Sequence, residues 1–434
     1  MDQGLMMILL TVLMFGILSL GVWVGAALFI VGFAALMLNE SSNLGMIMAT
    51  TTWGSTSTWT LTALPLFVWM GEILFRTRLS KDLFSGLSPW LNHVPGRLLH
   101  VNILGCGIFA AVSGSSAATV ATIGKMTAPE LEKRGYPESM VLGTLAGSGT
   151  LGLLIPPSII LIVYGVSAEV SISRLFIAGA LPGLMLVTLF MGYTMIWSSL
   201  NKDKLPAAEA HIPLVEKFRA SWKLIPIVTL ILFVLGSIYA GFATATEAAV
   251  IGVVGSLVLS WLGKDMSWLT FRESLMGATK TSCMIMFILA GAAFLTIAMG
   301  FTGIPRALAE TISSMNLSPG WLLFALTIFF IIMGCFLDGI SVVVLTTSVV
   351  LPMVEQAGID LLWFGIFLVM VVEMAQVTPP VGFNLFVLQG LTGKNILLIA
   401  RYAMPFFFLL MLAALLISIF PEIVTWLPQK MTER

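Results

Sequence analysis

The stretch Gly147-Ser-Gly-Thr-Leu-Gly-Leu-Leu-Ile-Pro-Pro157 decides the fold, because its two consecutive prolines interrupt a long apolar segment. A second Pro-Pro pair closes the stretch Glu373-Met-Ala-Gln-Val-Thr-Pro-Pro380, again inside an apolar segment. Proline has no backbone N–H, so the carbonyl four residues earlier loses its helical partner. Each stretch therefore predicts a helix that is broken in its middle. The carbonyls that this rule leaves free are those of Gly152, Leu153, Ala375 and Gln376.

The two stretches belong to an internal repeat with an offset of 223 residues. The matched positions are Pro129 and Pro352, Glu132 and Glu355, Gly135 and Gly358, and the two Pro-Pro pairs. A small polar cluster precedes the first proline of each copy, as Val112-Ser-Gly-Ser-Ser116 and as Leu337-Asp-Gly-Ile-Ser341. Five matched positions within 29 residues indicate two copies of one structural unit.

The charges around the two copies differ. Lys125, Lys133 and Arg134 flank Pro129, whereas the segment from Pro352 to residue 363 has acidic residues and no Lys or Arg. Because Lys and Arg accumulate on the cytoplasmic side, the two copies are predicted to open toward opposite faces of a membrane. Inverted-topology repeats have this property. Broken backbone survives at membrane depth only when protein or a cavity surrounds it. Each copy is thus predicted to form a re-entrant helical hairpin followed by a discontinuous helix.

Composition places the chain in a membrane. Of its 434 residues, 58% are hydrophobic and 10% are charged, against roughly 25% charged residues in soluble domains. Apolar segments long enough to span a bilayer recur along the chain, which predicts an all-α polytopic membrane protein. The net charge is zero and suggests no nucleic-acid partner. The three cysteines, Cys106, Cys283 and Cys335, have neither disulfide nor metal-cluster spacing.

The basic connectors predict the domain organisation. Residues 76–97, residues 200–223 and the segment with Lys394 and Arg401 are rich in basic side chains and are predicted to be cytoplasmic. The first apolar segment, 4–38, is predicted to be two short helices that meet near Gly21. The predicted division is N-terminal scaffold helices at 1–97, a first transport repeat at 98–199, a cytoplasmic connector at 200–223, scaffold helices at 224–318, a second transport repeat at 319–400 and a C-terminal transmembrane helix at 401–434.

The breaks are candidate cation sites, because a free carbonyl in hydrocarbon is costly unless something satisfies it. A dehydrated Na⁺ can do so, helped at the first break by the hydroxyls of Ser113, Ser115 and Ser116. At the second break the additional oxygen ligands would come from Asp338, Ser341 and Thr378. The helices that restart beyond the breaks direct positive dipole ends at the same region, which suits a carboxylate substrate.

Several charged residues allow two interpretations. Glu373, beside the second break, is either a proton or ion partner or a buried hydrogen-bonding anchor. Glu72 and Glu247 are either functional or only helix-end residues. Lys125, at a hairpin end, is expected to extend its ammonium group toward water.

The chain resembles the large membrane subunit of tripartite ATP-independent periplasmic (TRAP) transporters over essentially its whole length. The segments that carry the resemblance are Pro65-Leu-Phe-Val-Trp-Met-Gly-Glu72, Ser113-Gly-Ser-Ser-Ala-Ala-Thr119, Pro129-Glu-Leu, Lys133-Arg-Gly-Tyr136, Ile155-Pro-Pro-Ser158, Leu337-Asp-Gly339 and Thr378-Pro-Pro-Val-Gly382. One departure is Lys125-Met-Thr-Ala-Pro129, which stands where an apolar run ending in Ile-Pro is common in the family.

The resemblance implies a secondary transporter of the bacterial inner membrane that is driven by a Na⁺ gradient and works as an elevator. A transport domain with both hairpins would move against a static scaffold, which a separate small four-helix membrane subunit enlarges. A periplasmic substrate-binding protein would deliver an organic anion such as a C4-dicarboxylate, a keto acid or a sialic acid. Na⁺ is the only coupling ion expected, and no organic cofactor is expected.

The resemblance also implies site residues. The first sodium site would comprise Ser113, Gly114, Ser115, Ser116, Gly152, Ile155 and Pro157. The second would comprise Asp338, Gly339, Ser341, Gln376, Thr378 and Pro380. The substrate is expected near Ser115, Thr119, Thr150 and Glu373.

Three other functions compete with this hypothesis. A stand-alone Na⁺/carboxylate symporter of similar architecture would need no binding protein. An intramembrane enzyme is disfavoured, because all three histidines lie in or near polar connectors and Asp338 has no intramembrane aspartate partner. A passive channel is disfavoured, because two inverted broken-helix repeats suit alternating access better than a continuous pore.

Overall fold

The computed structural model describes residues 3–40, 43–207, 213–307, 310, 318–380 and 382–432. These residues form helices and connecting turns, with no β-strand among them. Five of the described helices are long and apolar enough to cross a membrane, and the number rises to eight if each bent helix pair is one span. The all-α membrane architecture follows the sequence prediction.

The N-terminal part of the chain is a set of apolar helices. Gly21, with φ +76°, connects the first two and confirms the predicted break near this residue. The helices are α1 (Gln3–Ser19), α2 (Val24–Leu38), α3 (Leu44–Thr56), a 3₁₀ turn (Trp59–Thr62), α4 (Ala63–Phe75) and α5 (Leu79–Leu91).

The first repeat consists of two helices that pack against each other, a broken helix and one long span. The first two are called the first hairpin here: α6 (Leu99–Ser113) and α7 (Ser116–Lys133). The first broken helix comprises α8 (Glu138–Gly149), α9 (Leu151–Leu154) and α10 (Ile159–Ser167), with a bend of 41° at the break. The long span is α11 (Ile172–Leu200). The break coincides with Pro156-Pro157, as the proline pair predicts.

The second half follows the same plan. Its first helices are α12 (Leu214–Ser221), α13 (Ile225–Tyr239), α14 (Ala245–Leu262) and α15 (Trp268–Thr302). The second hairpin is α16 (Pro319–Gly334) with α17 (Gly339–Gln356), and the second broken helix is α18 (Leu361–Gln376) with α19 (Phe383–Thr392). The chain continues with α20 (Ile396–Ile419) and α21 (Glu422–Thr432). The predicted boundary at residue 400 thus falls inside α20, and residues 311–317 of the predicted 224–318 segment lie outside the described residues.

The two broken helices run in opposite directions. The Tyr164 hydroxyl, near the end of the first, donates to the carbonyl of Leu361 at the start of the second (2.7 Å). At the other face the Lys394 ammonium, just beyond the second, pairs with Glu138 at the start of the first (2.9 Å). The restarted half of each broken helix also packs against the hairpin of the other repeat, α10 against α17 and α19 against α7. The repeats are therefore interlocked.

The basic connectors meet at one face of the molecule. The Trp90 indole N–H donates to the Ser221 hydroxyl (2.6 Å), and the Lys217 ammonium lies 5.8 Å from the centre of the Trp90 ring. These contacts join the 76–97 and 200–223 segments, which the charge pattern predicts on one side of the membrane.

The helices outside the repeats pack mainly on one another, with α15 against α2, α3 and α4, and α14 against α4 and α13. Many of their apolar side chains are exposed, among them Leu232, Phe233 and Val254. Apolar surface of this extent suits contact with lipid rather than water. Glu72 and Glu247 lie at helix ends, where Glu72 pairs with Arg76 (2.5 Å) and Glu247 completes a capping box with Thr244. These contacts favour their helix-end interpretation.

Candidate functional site

The tip of the first hairpin is a tight turn stabilised by hydroxyl groups. Gly114 adopts a left-handed conformation (φ +60°), which glycine tolerates best. Ser115 is the N-cap of α7, and its hydroxyl accepts from the backbone N–H of Ala118 (3.4 Å). The Thr119 hydroxyl donates to the carbonyl of Ser115 and also contacts the Ser113 hydroxyl (both 2.8 Å). The turn therefore concentrates oxygen atoms at one end of the hairpin.

This tip lies directly on the first break. The backbone N–H of Ile159 donates to the carbonyl of Gly114 (3.2 Å). A Cβ atom on Gly152 would lie 2.5 Å from the carbonyl oxygen of Ser115, and one on Gly114 would lie 2.8 Å from that of Pro157. Only glycine permits such an approach, and it places the backbone of the hairpin tip against the backbone of the break. Na⁺ and other hard cations prefer oxygen ligands of this kind.

Two of the four carbonyls predicted to be free have donors, so that prediction was wrong for them. The Leu153 carbonyl accepts a short hydrogen bond from the Ser158 hydroxyl. The Ala375 carbonyl accepts from the backbone N–H of Thr378 (3.1 Å). The proline rule counts only the missing N–H four residues later, whereas a hydroxyl or a tighter turn can replace it. The predictions for Gly152 and Gln376 stand as predictions.

The second hairpin begins its second helix at Asp338, the N-cap of α17. The Asp338 carboxylate accepts from the backbone N–H groups of Ile340 (3.1 Å) and Ser341 (3.3 Å), and from the Ser341 hydroxyl in a short bond. Its two oxygens thus organise the helix start. A Cβ atom on the next residue, Gly339, would lie 3.4 Å from a methyl group of Leu153. The second hairpin tip therefore borders the first break.

The second break also gathers backbone oxygens. The carbonyls of Gln376 and Thr378 lie 3.1 Å and 2.7 Å from the position of a Cβ on Gly382. Gly382 thus allows two carbonyl oxygens to lie close to the start of α19. Carbonyl oxygens are a type of ligand that hard cations prefer. The Thr378 hydroxyl donates to the carbonyl of Met374 (2.6 Å), and the Cys335 thiol lies within hydrogen-bond reach of the Pro379 carbonyl (3.4 Å).

The structure brings most of the predicted first-site residues together at the tip and the break. Ser113, Ser116 and Gly152 are all buried there. Ile155 differs, because its side chain lies toward α11, where a Cβ on Gly183 would be 2.8 Å away. Its backbone N–H donates to the carbonyl of Leu151 (2.9 Å), so only its own carbonyl remains for a ligand.

The residues predicted near the substrate differ in their contacts. The Thr150 hydroxyl donates to Gly147 of its own helix (2.6 Å). Glu373 is 1% exposed and faces the backbone amide of Leu153 across the repeat boundary. Among the described residues, neither of its carboxylate oxygens has a hydrogen-bond partner of normal geometry. The buried-anchor interpretation of Glu373 would require such a partner.

Sequence reasoning missed one buried polar residue of this region. Asn384, on α19, is 0% exposed, and neither atom of its amide has a partner in the described part of the chain. The available signal was an amide side chain, Asn384, close after the second Pro-Pro pair in an otherwise largely apolar run.

Comparison with known proteins gives a consistent family assignment. The family model of the tripartite ATP-independent periplasmic transporter, DctM component, matches residues 11–423. The chain is 32% identical to the C4-dicarboxylate TRAP transporter large permease protein DctM of Pseudomonas aeruginosa, over 85% of this chain and 86% of that protein. It is also 32% identical to the isethionate TRAP transporter permease protein DctMQ of Oleidesulfovibrio alaskensis, over 82% of this chain and 56% of that protein.

A solved structure shows the same overall fold. The YdaH transporter of Alcanivorax borkumensis superposes with a TM-score of 0.60 over 85% of this chain and 87% of that chain. The sequence identity is 12%, so the similarity concerns the fold alone.

Proposed function

Because this chain belongs to the DctM family and is a large permease subunit of a TRAP transporter, we propose that it imports an organic anion across the bacterial inner membrane by using a Na⁺ gradient. The observation that carries the proposal is the contact between the first hairpin tip and the first break, where the Ser115 carbonyl meets Gly152. This contact places the hydroxyls of the hairpin tip against the backbone of the break, and a cation between the two segments would hold them together.

The arrangement of helix ends supports an anionic substrate. Four helices start at the tips and breaks, at Ser116, Ile159, Gly339 and Phe383. The N-terminus of a helix carries a partial positive charge, which favours anions. The relatives named for C4-dicarboxylate and isethionate are consistent with a small organic anion.

Na⁺ is the coupling ion in this proposal. The first ion would be held by Ser113, Ser115, Ser116 and the break carbonyls, and the second by Ser341, Thr378 and carbonyls of the second break. Bound Na⁺ would offset the negative charge of the substrate. Asp338 would act on the second site through the start of α17, because its oxygens already bond Ile340 and Ser341.

The proposed cycle is an elevator. The segments 98–199 and 319–400 would move as a transport domain against the remaining helices. The interlocking of the two repeats supports a common movement, since each broken helix packs on the other repeat's hairpin. A small four-helix membrane subunit and a periplasmic binding protein are the proposed partners, and the joined name DctMQ of one relative supports the former.

Uptake into proteoliposomes tests this function. The chain is reconstituted with its small subunit, and [¹⁴C]succinate and isethionate are offered with and without the cognate binding protein and an inward Na⁺ gradient. The proposal expects uptake only when both additions are present. Uptake by this chain without a binding protein would identify a stand-alone symporter. Uptake at the same rate with and without the Na⁺ gradient would refute Na⁺ coupling.

A further inference from the structure

Asn384 is a buried amide at the meeting point of the two repeats, and it has no hydrogen-bond partner within the described residues. It is the second residue of α19, the helix that restarts after the second break. Its side chain is 0% exposed, yet neither its Nδ2 nor its Oδ1 atom is hydrogen-bonded within the described residues. An amide offers two N–H donors and one carbonyl acceptor. Leaving all of them unpaired in a protein interior is unfavourable, so native proteins rarely do so.

The surroundings of Asn384 belong to the first repeat. Its Nδ2 atom lies 3.4 Å from the position of a Cβ on Gly149, and Val120 of the first hairpin lines the same place. Gly149 precedes Gly152 by three residues, so the two share one face of the first broken helix. Gly152 meets the hairpin tip on that face. Asn384 thus lies about one helical turn from the first proposed sodium site.

A purely structural asparagine in this protein has different contacts. Asn102, equally buried in the first hairpin, donates from Nδ2 to the Thr144 hydroxyl (2.8 Å) and to the Val141 carbonyl (3.3 Å). Its Nδ2 group therefore joins α6 to α8, whereas its Oδ1 atom has no partner in the described part of the chain. Asn384 has no such partner among the described residues, so both of its hydrogen-bonding groups are available to a bound molecule.

We propose that Asn384 is a substrate-binding residue whose Nδ2–H group donates a hydrogen bond to a carboxylate or sulfonate oxygen of the transported anion. The inference rests on the proposed function and names a contact of the same site. Two features of the position fit this role. A neutral donor binds an anion without adding a competing cation, and a Na⁺ at the neighbouring site would attract the same anion.

The test uses the complete transporter, reconstituted with its small subunit and binding protein, and succinate and isethionate as probes. The variants are Asn384→Leu, which removes both hydrogen-bonding atoms at similar volume, and Asn384→Asp, which places a negative charge at the anion. The matched control is Asn102→Leu. Two quantities are measured: the concentration of substrate that half-saturates uptake, and the increase in melting temperature that saturating substrate produces.

The proposal predicts that Asn384→Leu raises the half-saturating concentration roughly 10- to 100-fold, the range expected for a lost hydrogen bond to a charged group. Its melting temperature without substrate should equal or exceed that of the unmodified protein, while the increase produced by a substrate concentration that saturates the unmodified protein should become smaller. Asn384→Asp should lose uptake. The half-saturating Na⁺ concentration of Asn384→Leu should stay unchanged when each protein is measured at its own saturating substrate concentration, because binding of Na⁺ and of the anion is coupled. Asn102→Leu should melt earlier but keep its substrate affinity.

Two results distinguish a failure of this inference from a failure of the proposed function. If the unmodified protein takes up a probe and Asn384→Leu keeps its affinity and its substrate-induced stabilisation, this inference is wrong and the proposed function survives. If the unmodified protein takes up neither probe under any Na⁺ gradient, the proposed function and this inference are both wrong.

Discussion

The carbonyl oxygen of Ser115 lies 2.5 Å from the position that a Cβ atom on Gly152 would occupy. The backbones of the first hairpin tip and the first break therefore approach each other more closely than any side chain allows. The same contact aligns the start of α7 with the break in the first broken helix. The proposed first sodium site depends on this close approach, which is possible because Gly152 has no Cβ atom.

Replacing Gly152 by alanine should separate the tip from the break. The added methyl group would collide with backbone rather than with a movable side chain, so the cost should be about 1–3 kcal/mol, as for other overpacked sites. We expect a lower melting temperature and a clear loss of Na⁺-dependent uptake.

Gly236→Ala is the matched control for this change, because a Cβ at that position in α13 meets nothing within 4 Å. Alanine should there stabilise the helix by about 0.5–1 kcal/mol. Equal effects of the two substitutions on uptake would show that the close approach at Gly152 has no functional importance.

Replacing Ser158 by alanine should destabilise the first break. The Leu153 carbonyl would lose the hydroxyl that replaces its missing helical N–H. An unsatisfied buried acceptor costs about 1–3 kcal/mol, and chemical denaturation of the purified protein measures this quantity.

Ser256→Ala controls for the loss of a buried serine. Its hydroxyl bonds the Val253 carbonyl within an unbroken helix (2.8 Å), where the regular helical hydrogen bonds persist without it. A Ser158→Ala variant that is no less stable than Ser256→Ala would contradict this account of the break.

Replacing Tyr164 by phenylalanine should weaken the connection between the two broken helices. It removes the hydrogen bond to the Leu361 carbonyl, with an expected cost of about 0.5–1.5 kcal/mol. If the repeats move together, uptake should decline as well. Tyr239→Phe removes a longer hydrogen bond, 3.3 Å to Phe176, outside this connection. It should lower the free energy of unfolding less, and the reverse order would argue against the connection.

The ion pair between Lys394 and Glu138 predicts a pH dependence of stability. The hydrogen bond to Glu138, together with its negative charge, raises the pKa of Lys394. A raised pKa means that the pair stabilises the folded protein below the ordinary lysine pKa of about 10.4. The contribution declines as the pH rises through the higher folded value.

Melting temperatures of the unmodified protein and of Glu138→Gln should therefore differ at neutral pH and converge in alkaline solution above about pH 10.4. The difference at neutral pH should be small, because both side chains are partly exposed. A difference that stays constant through the alkaline range would show that the pair does not cause it.

The broken helices and their opposite directions could be predicted from the sequence, because proline and the distribution of Lys and Arg act through simple local rules. Pro156-Pro157 and Pro379-Pro380 mark the breaks, and the charges near Lys133 and Glu355 differ as inversion requires. These features need no knowledge of packing.

The partners of the site residues could not be predicted in the same way. The proline rule did not reveal that the Ser158 hydroxyl would donate to the Leu153 carbonyl. Nor did it reveal that a tighter turn would give the Ala375 carbonyl a donor, the backbone N–H of Thr378. Asn384 was missed because its importance comes from the first-repeat residues Gly149 and Val120, which lie far away in the sequence. Contacts between repeats depend on tertiary packing, and no local pattern encodes them.

In the proposed mechanism, oxygens of the hairpin tips and breaks bind the Na⁺ ions that drive uptake. The most direct measurement is the half-saturating Na⁺ concentration for uptake by the reconstituted complex, compared among the unmodified protein, Ser116→Ala, Asp338→Ala and the control Ser256→Ala. We expect a higher half-saturating Na⁺ concentration for Ser116→Ala and for Asp338→Ala. Ser256→Ala should leave this concentration unchanged. Folded variants at both positions with an unaltered Na⁺ dependence would contradict this mechanism.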